Sequence, residues 1–467
     1  MNSDSDGRLD HGLPPGFLFG TSTASYQIEG AVGEDGRGPS IWDTFTAQPG
    51  RVVDGTTGAV ACDHYHRWPQ DIELMRRLGA DGYRFSIAWP RVQPTGSGTV
   101  NEAGLAFYDR LVDALLEAGI APMATLYHWD LPQPLEDAGG WLVRDTALRF
   151  GEYASVVAQR LGDRVTHWCP VNEPNVTTLL GYGQEELAPA RGLLFGALPA
   201  AHHLLLGHGL AVQALRAGAR GQVGTATNHV MVWPASDSEA DGAAGGFVDT
   251  LWNRLFADPV LLGTYPEPFG DTMPGPVADD LRLISQPLDF YGVNTYNPVG
   301  VRAAAADAAL PFEYGDIAGY PVTDFGWPVV PTALTDLLVE LKQRYPAIPP
   351  VIVTENGCSY ATGPDEHGVV DDRARIDYLD RHLTAVAEAV RRGVDVRGYY
   401  CWSLMDNFEW AHGLTQRFGL VHVDFDTQVR TPKRSFDWYA RVIRDHHVRT
   451  GTGIGTGTGT GPGSGPA

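Results

Sequence analysis

Short apolar or β-rich runs recur along the chain, and longer stretches with helical spacing separate them. The runs lie at 17–22 (FLFGTS), 82–89 (GYRFSIAW), 121–129, 165–173, 222–229, 288–296, 350–357 (PVIVTENG) and 396–404. Between them, segments such as 105–119, 145–162 and 375–393 repeat apolar residues at three- and four-residue intervals, the period of an amphipathic helix. Three of these helices end at Gly119, Gly162 and Gly393, where a left-handed C-cap is expected.

Nearly continuous apolar strands alternating with helices imply a parallel sheet covered by helices. Eight such units predict an α/β fold closed into a single (β/α)8 TIM barrel, with its active site at the C-terminal rim of the strands. An open doubly wound sheet is the rival, but no glycine-rich phosphate loop follows the first run. No linker interrupts the pattern, so one domain is expected over 14–449. Residues 1–13 read as a flexible N-terminal extension, and 450–467, rich in Gly and Thr, as a disordered tail.

Composition narrows the partners. The formal charge of −22 comes from 56 acidic against 34 basic residues, which opposes nucleic acid and anionic membrane surfaces. Lys342 and Lys433 are the lysines; the remaining basic residues are arginine. The polar, acidic N-terminus lacks the cationic and apolar regions of a secretory signal, and no 18-residue apolar run offers a membrane span. Cys62, Cys169, Cys358 and Cys401 are far apart, with neither a disulfide framework nor a CxxC pair. A cytoplasmic setting is expected. In CDHYH (62–66), Cys62, His64 and His66 alternate and would share one face if the stretch were a strand, but no second ligand cluster accompanies them. No metal and no cofactor is expected.

The predicted rim collects the chemistry: Gln27, Arg84, His128 with Trp129, Asn172 with Glu173, Asn228, Asn294 with Tyr296, Glu355, and Trp402. Barrel closure brings Glu173, after strand four, and Glu355, after strand seven, to the same end. Two glutamates among amides and aromatics supply what glycoside hydrolysis needs: one carboxylate to attack or activate water, and one carboxylic acid to protonate the leaving oxygen. Pro174 disfavours the α region at the preceding residue and is expected to hold Glu173 extended. A neighbouring carboxylate should raise the pKa of Glu173, as a proton donor requires. Arg84 and Tyr296 are placed to support an ionised Glu355, and Asn294 stands beside them.

Five stretches, FLFGTSTASYQIEGA (17–31), YHWDLPQPLEDAGGW (127–141), VNEP (171–174), TENG (354–357) and WSLMDNFEWAHGLTQRFGL (402–420), resemble glycoside hydrolase family 1, the β-glucosidase family. The likeness runs from about Pro14 to Tyr439. It implies a retaining double displacement with Glu355 as nucleophile and Glu173 as acid/base. It also implies that Gln27, His128, Asn172, Glu409 and Trp410 hold the sugar hydroxyls, that Trp402 floors the sugar, and that Trp327 flanks the aglycone. The intact Glu409–Trp410 pair differs from the phosphoglycosidase branch, and its carboxylate would repel a phosphate, so the implied partner is an unphosphorylated small-molecule β-glucoside. Two departures stand out: Pro170-Val171 replaces the usual Thr-Leu before NEP, and Leu187-Ala188-Pro189-Ala190 replaces the usual His-Ala-Pro-Gly. A broad-specificity galactosidase or fucosidase, a transglycosylase, and a non-catalytic sugar-binding barrel are the competing readings.

Overall fold

A computed structural model describes residue 9 and residues 11–452. The barrel strands are β1 (Leu18–Ser22), β2 (Gly82–Ser86), β3 (Ala121–Tyr127), β4 (His167–Val171), β5, β6 (Tyr291–Asn294), β7 (Val351–Asn356) and β8 (Val396–Trp402). Strand β5 has two pieces, Gln222–Val223 and Thr227–Asn228. The first pairs with β4 and the second with β6. With β1 joining β2 to β8, every barrel pairing parallel, the sheet closes through this split strand into the expected (β/α)8 barrel.

The helices form where the spacing places them, at Glu102–Glu117, Arg144–Leu161 and Arg373–Arg391. The first buries Leu105, Tyr108, Leu111, Val112 and Leu115 along one face. Each large apolar side chain removed from water there contributes about 2 kcal/mol. A smaller cluster of Met123, Cys169, Ala226, Phe290, Ile352 and Tyr400 packs together, drawn from strands around the barrel. Strand β4 pairs with β3 on both sides of Pro170, so the proline does not interrupt it.

Several expectations need correction. Gly119 and Gly393 adopt the left-handed conformation, but Gly162 is right-handed at φ −66°. It is required there for space instead: a Cβ would lie 2.3 Å from the Ala158 carbonyl oxygen and 2.4 Å from that of Gly218. The described part of the N-terminal extension is anchored. Leu9 and Leu13 are buried, His11 Nε2 meets Asp380 Oδ1 at 3.0 Å, and Arg449 donates to the Leu13 carbonyl. The last helix, Arg434–Thr450, runs one residue into the predicted tail and ends at left-handed Gly451; the tail from 453 on lies outside the described residues.

CDHYH is no strand either, because His64 opens the helix His64–Leu78. His64 Nδ1 is 2.8 Å from Asp71 Oδ2, whereas exposed His66 meets Asp63 and Glu34. Outside the barrel, Val232–Pro234, Val299–Ala303 and Phe312–Gly315 form a small sheet over a second apolar cluster.

Candidate active site

The rim residues converge on a cavity of about 300 Å³ whose lining includes His128, Glu173, Asn228, Tyr296, Glu355 and Trp402. Strand register sets their level: Asn228 and Glu355 both pair with Asn294, from opposite sides. Alternation from Ile352, which packs with the barrel-interior cluster, would turn Glu355 outward toward the helices. A one-residue slip between Val353 and Glu355 redirects it to the axis, a use of strand irregularity common beside active sites. Gly357, two residues on, has no room for a side chain, since a Cβ would lie 1.8 Å from the Trp402 carbonyl oxygen.

Glu355 is buried, with 3% exposure. Its Oε1 accepts from Arg84 Nη1 at 2.5 Å and its Oε2 from the Tyr296 hydroxyl at 2.7 Å. Both donors are aimed at its carboxylate oxygens. Arg84 is itself fully buried and is held by Thr125 Oγ1 at 3.1 Å and Asn172 Oδ1 at 2.6 Å. The arginine that the sequence offered as nucleophile support is thus seated in a complete polar network, where breaking one contact strands a buried charge.

Glu173 has a different environment. Burial, then the charge of Glu355, push its carboxyl up to about 8, while hydrogen bonds from Asn294 and Asn228 pull the other way. Asn294 Nδ2 lies 2.8 Å and Asn228 Nδ2 3.1 Å from its Oε1. Two other contacts fix which end of each amide faces the carboxyl: Asn294 Nδ2 also donates at 3.0 Å to Asn172 Oδ1, which Arg84 sets as an acceptor, and Trp252 Nε1 donates to Asn228 Oδ1 at 3.0 Å. Pro174 does exclude the right-handed helical region at Glu173. Even so, Glu173 is not extended but left-handed, at φ 44° and ψ 64°, with its backbone N–H held by the Ala226 carbonyl at 2.7 Å. Trp129 and Trp410 also have positive φ, 79° and 50°. Such backbone strain, costing about 1–3 kcal/mol each, clusters at functional sites.

The remaining predicted residues other than Trp327 form one wall. Gln27 Nε2 donates to the Phe408 carbonyl at 2.9 Å and faces Glu409 Oε2 at 3.4 Å. Asn172 Nδ2 is 3.1 Å from His128 Nε2. His128 stacks beside both Trp402 and Trp410, each at 5.9 Å between ring centres. Burial and the Arg84 charge keep His128 neutral, well below its usual pKa. Gln27 Oε1 and His128 Nδ1 are buried without a protein partner, a costly state that a ligand hydroxyl would relieve. Burial, then Glu355 and Glu173, also raise Glu409 to about 8. Trp327 lies across the cavity against Tyr296 and Phe325.

Sequence reasoning gave no role to Asn228, Trp252 or Arg375. Asn228 ended a predicted strand, so its place was legible. Trp252 lies in a stretch without strand or helix signal that tied it to the rim. Buried Arg375 donates to the carbonyls of Cys358, Phe418 and Arg417, tying the segment after Glu355 to the loop that follows Trp410.

The match to known proteins extends over the same frame. The family model "Glycosyl hydrolase family 1" spans residues 9–448. A bifunctional β-D-glucosidase/β-D-fucosidase of Bifidobacterium breve is 47% identical, over 94% of this chain and 99% of the relative. A β-glucosidase of Agrobacterium sp. is also 47% identical, over 92% and 94%. The β-glucosidase of Thermotoga maritima in complex with glucoimidazole superposes with a TM-score of 0.90 at 42% identity, over 94% of this chain and 100% of that one. This chain belongs to glycosyl hydrolase family 1.

Proposed function

We propose that the protein is a retaining β-glucosidase that removes terminal β-D-glucosyl residues from short oligosaccharides or from aryl and alkyl glucosides. The contrast between its two buried glutamates carries this reading. Glu355 is paired with a guanidinium and a phenol, whereas Glu173 is pushed up to about 8 with only amides on its Oε1. One is set to act as an anion and the other to deliver a proton near neutral pH.

In the first step the Glu355 carboxylate attacks the anomeric carbon while Glu173 gives its proton to the glycosidic oxygen, which leaves as the aglycone alcohol. Glu173, now ionised, takes a proton from water as that water attacks the glycosyl–Glu355 ester from the opposite side. The β-sugar departs, Glu355 is free, and Glu173 is protonated again. Gln27, His128, Asn172, Glu409 and Trp410 hold the sugar hydroxyls, with Trp402 beneath the ring and Trp327 beside the aglycone. The orphaned Gln27 Oε1 and His128 Nδ1 support that placement.

The test is Glu355→Ala on an aryl β-glucoside, with and without azide, alongside NMR of the first product of the unaltered enzyme. Expected are a loss of about 10⁴-fold or more in kcat, partial rescue as the α-glucosyl azide, and a β-anomer as first product. Full activity in the variant overturns the nucleophile assignment, and an α-anomer overturns retention. Action on β-fucosides is the second reading, favoured by the name of the Bifidobacterium relative. Among the described residues no helix is long and apolar enough to cross a membrane. The four cysteines are buried and unpaired, which supports a reducing cytoplasm as the setting.

A further inference from the structure

Two π-helical stretches wall the outer half of the cavity, Thr177–Gly183 and Thr250–Arg254. Neighbouring side chains on each face different spaces. Leu180 lines the catalytic cavity and Leu179 a second, smaller groove of about 40 Å³, while Leu251 lines that groove and Trp252 lines both. The groove continues along Leu194, Phe195, Phe312 and Tyr314. Leu194, Phe195 and Tyr314 are 43%, 37% and 50% exposed, and Leu194 has a left-handed backbone at φ 48°. Scattered exposed apolar residues are ordinary, but a cluster that shares Trp252 with the catalytic cavity is placed to act as a binding surface.

We propose that the aglycone channel continues past Trp252 into this groove, which takes the apolar tail of an alkyl or fused-ring aglycone. The inference deepens the β-glucosidase reading and rests on it. The chemistry of the lining decides the ligand class. Among the groove's side chains only Gln184, the Tyr314 hydroxyl and the Trp252 indole N–H can hydrogen-bond, and the last is already given to Asn228 Oδ1, which leaves too few groups for the hydroxyls of further glucosyl units. Leu187 points the same way: it lines the cavity mouth where the family resemblance expects a histidine.

The experiment compares kcat/KM for methyl, butyl, hexyl and octyl β-D-glucosides, all below micelle formation. Their leaving alcohols are of similar acidity, so the series reports binding of the chain. Burial of a whole CH₂ is worth about fourfold; half-burial predicts about twofold per methylene from butyl to octyl. Cellotriose is expected to gain nothing over cellobiose. The double substitution of surface residues Leu194→Ser and Phe195→Ser should bring the octyl-to-butyl ratio to near one. A flat alkyl series in the unaltered enzyme, or a ratio that the double substitution leaves unchanged, overturns the groove. Turnover of methyl glucoside with a flat series removes the groove alone. Failure to turn over any glucoside removes the functional reading and the groove with it.

Discussion

The floor and the mouth of one cavity follow different rules. On the floor, Arg84, Asn172, Glu173, Asn228, Asn294 and Glu355 are buried and joined by hydrogen bonds of 2.5–3.1 Å from five different strands or strand ends. At the mouth, Leu180, Leu187 and Trp252 are partly exposed apolar residues on π-helices and loops. A polar floor in low dielectric gains most when every group is paired and loses most when one is removed. An apolar mouth adds small, additive increments of burial. On the proposed reading, chemistry and aglycone choice are separable because they rest on different forces.

Outside the two glutamates, the largest effect should come from Arg84→Met. It strands Glu355 and frees Asn172 Oδ1, and the loss of a buried charge partner costs about 3–5 kcal/mol. Expected is a fall of about 10³-fold in kcat/KM for every glucoside alike, measured on methyl and octyl substrates. A loss confined to one aglycone would erase the boundary between floor and mouth.

Next is stability. The carboxyl of Glu173 is held at about 8 instead of 4.5, so the folded state binds its proton more tightly than the unfolded chain. Its contribution is therefore complete below pH about 4.5 and is lost as pH rises through about 8. Glu173→Gln should thus gain on the unaltered protein across that window and level off above it, by up to about 5 kcal/mol in urea unfolding. Parallel stability curves from pH 5 to 9 would contradict the raised pKa.

A smaller shift is expected from Asn228→Ala. Its amide N–H favours the Glu173 anion, so removing it raises that pKa further. The alkaline limb of the bell-shaped kcat/KM profile should move up by roughly half to one pH unit. A limb that moves down would take Glu173 out of the acid role. Smallest is Leu187→His at the mouth: less than about threefold on methyl glucoside, with a larger loss on the octyl compound. Equal losses on both would assign Leu187 to the floor.

Much of this was legible in the chain. The barrel followed from alternation, and the placing of Gln27, His128, Asn172, Glu173, Asn294, Glu355 and Trp402 followed from their positions at strand ends. Glu409, Trp410 and Trp327 came only with the family motifs, because they lie on loops whose local pattern has no period. Gly162 misled because glycine at a helix end has two uses, backbone conformation and close approach, and only the packed neighbour tells them apart. CDHYH left its element open because alternation over five residues suits a strand or a helix start equally well, and the structure makes it a helix start.

The sequence by itself determined the element order, the buried faces and the set of reactive groups at the rim, since each depends on local periodicity and on where a strand ends. Only the tertiary structure decided how those groups act. Arg84 and Glu355 are 271 positions apart, and the strand-register slip that turns Glu355 inward is a property of pairing with β6. The left-handed backbone at Glu173 has its N–H anchored by Ala226, and the orientation of Asn228 depends on Trp252. These are contacts between distant segments, fixed by packing once the barrel closes, and no local pattern encodes them.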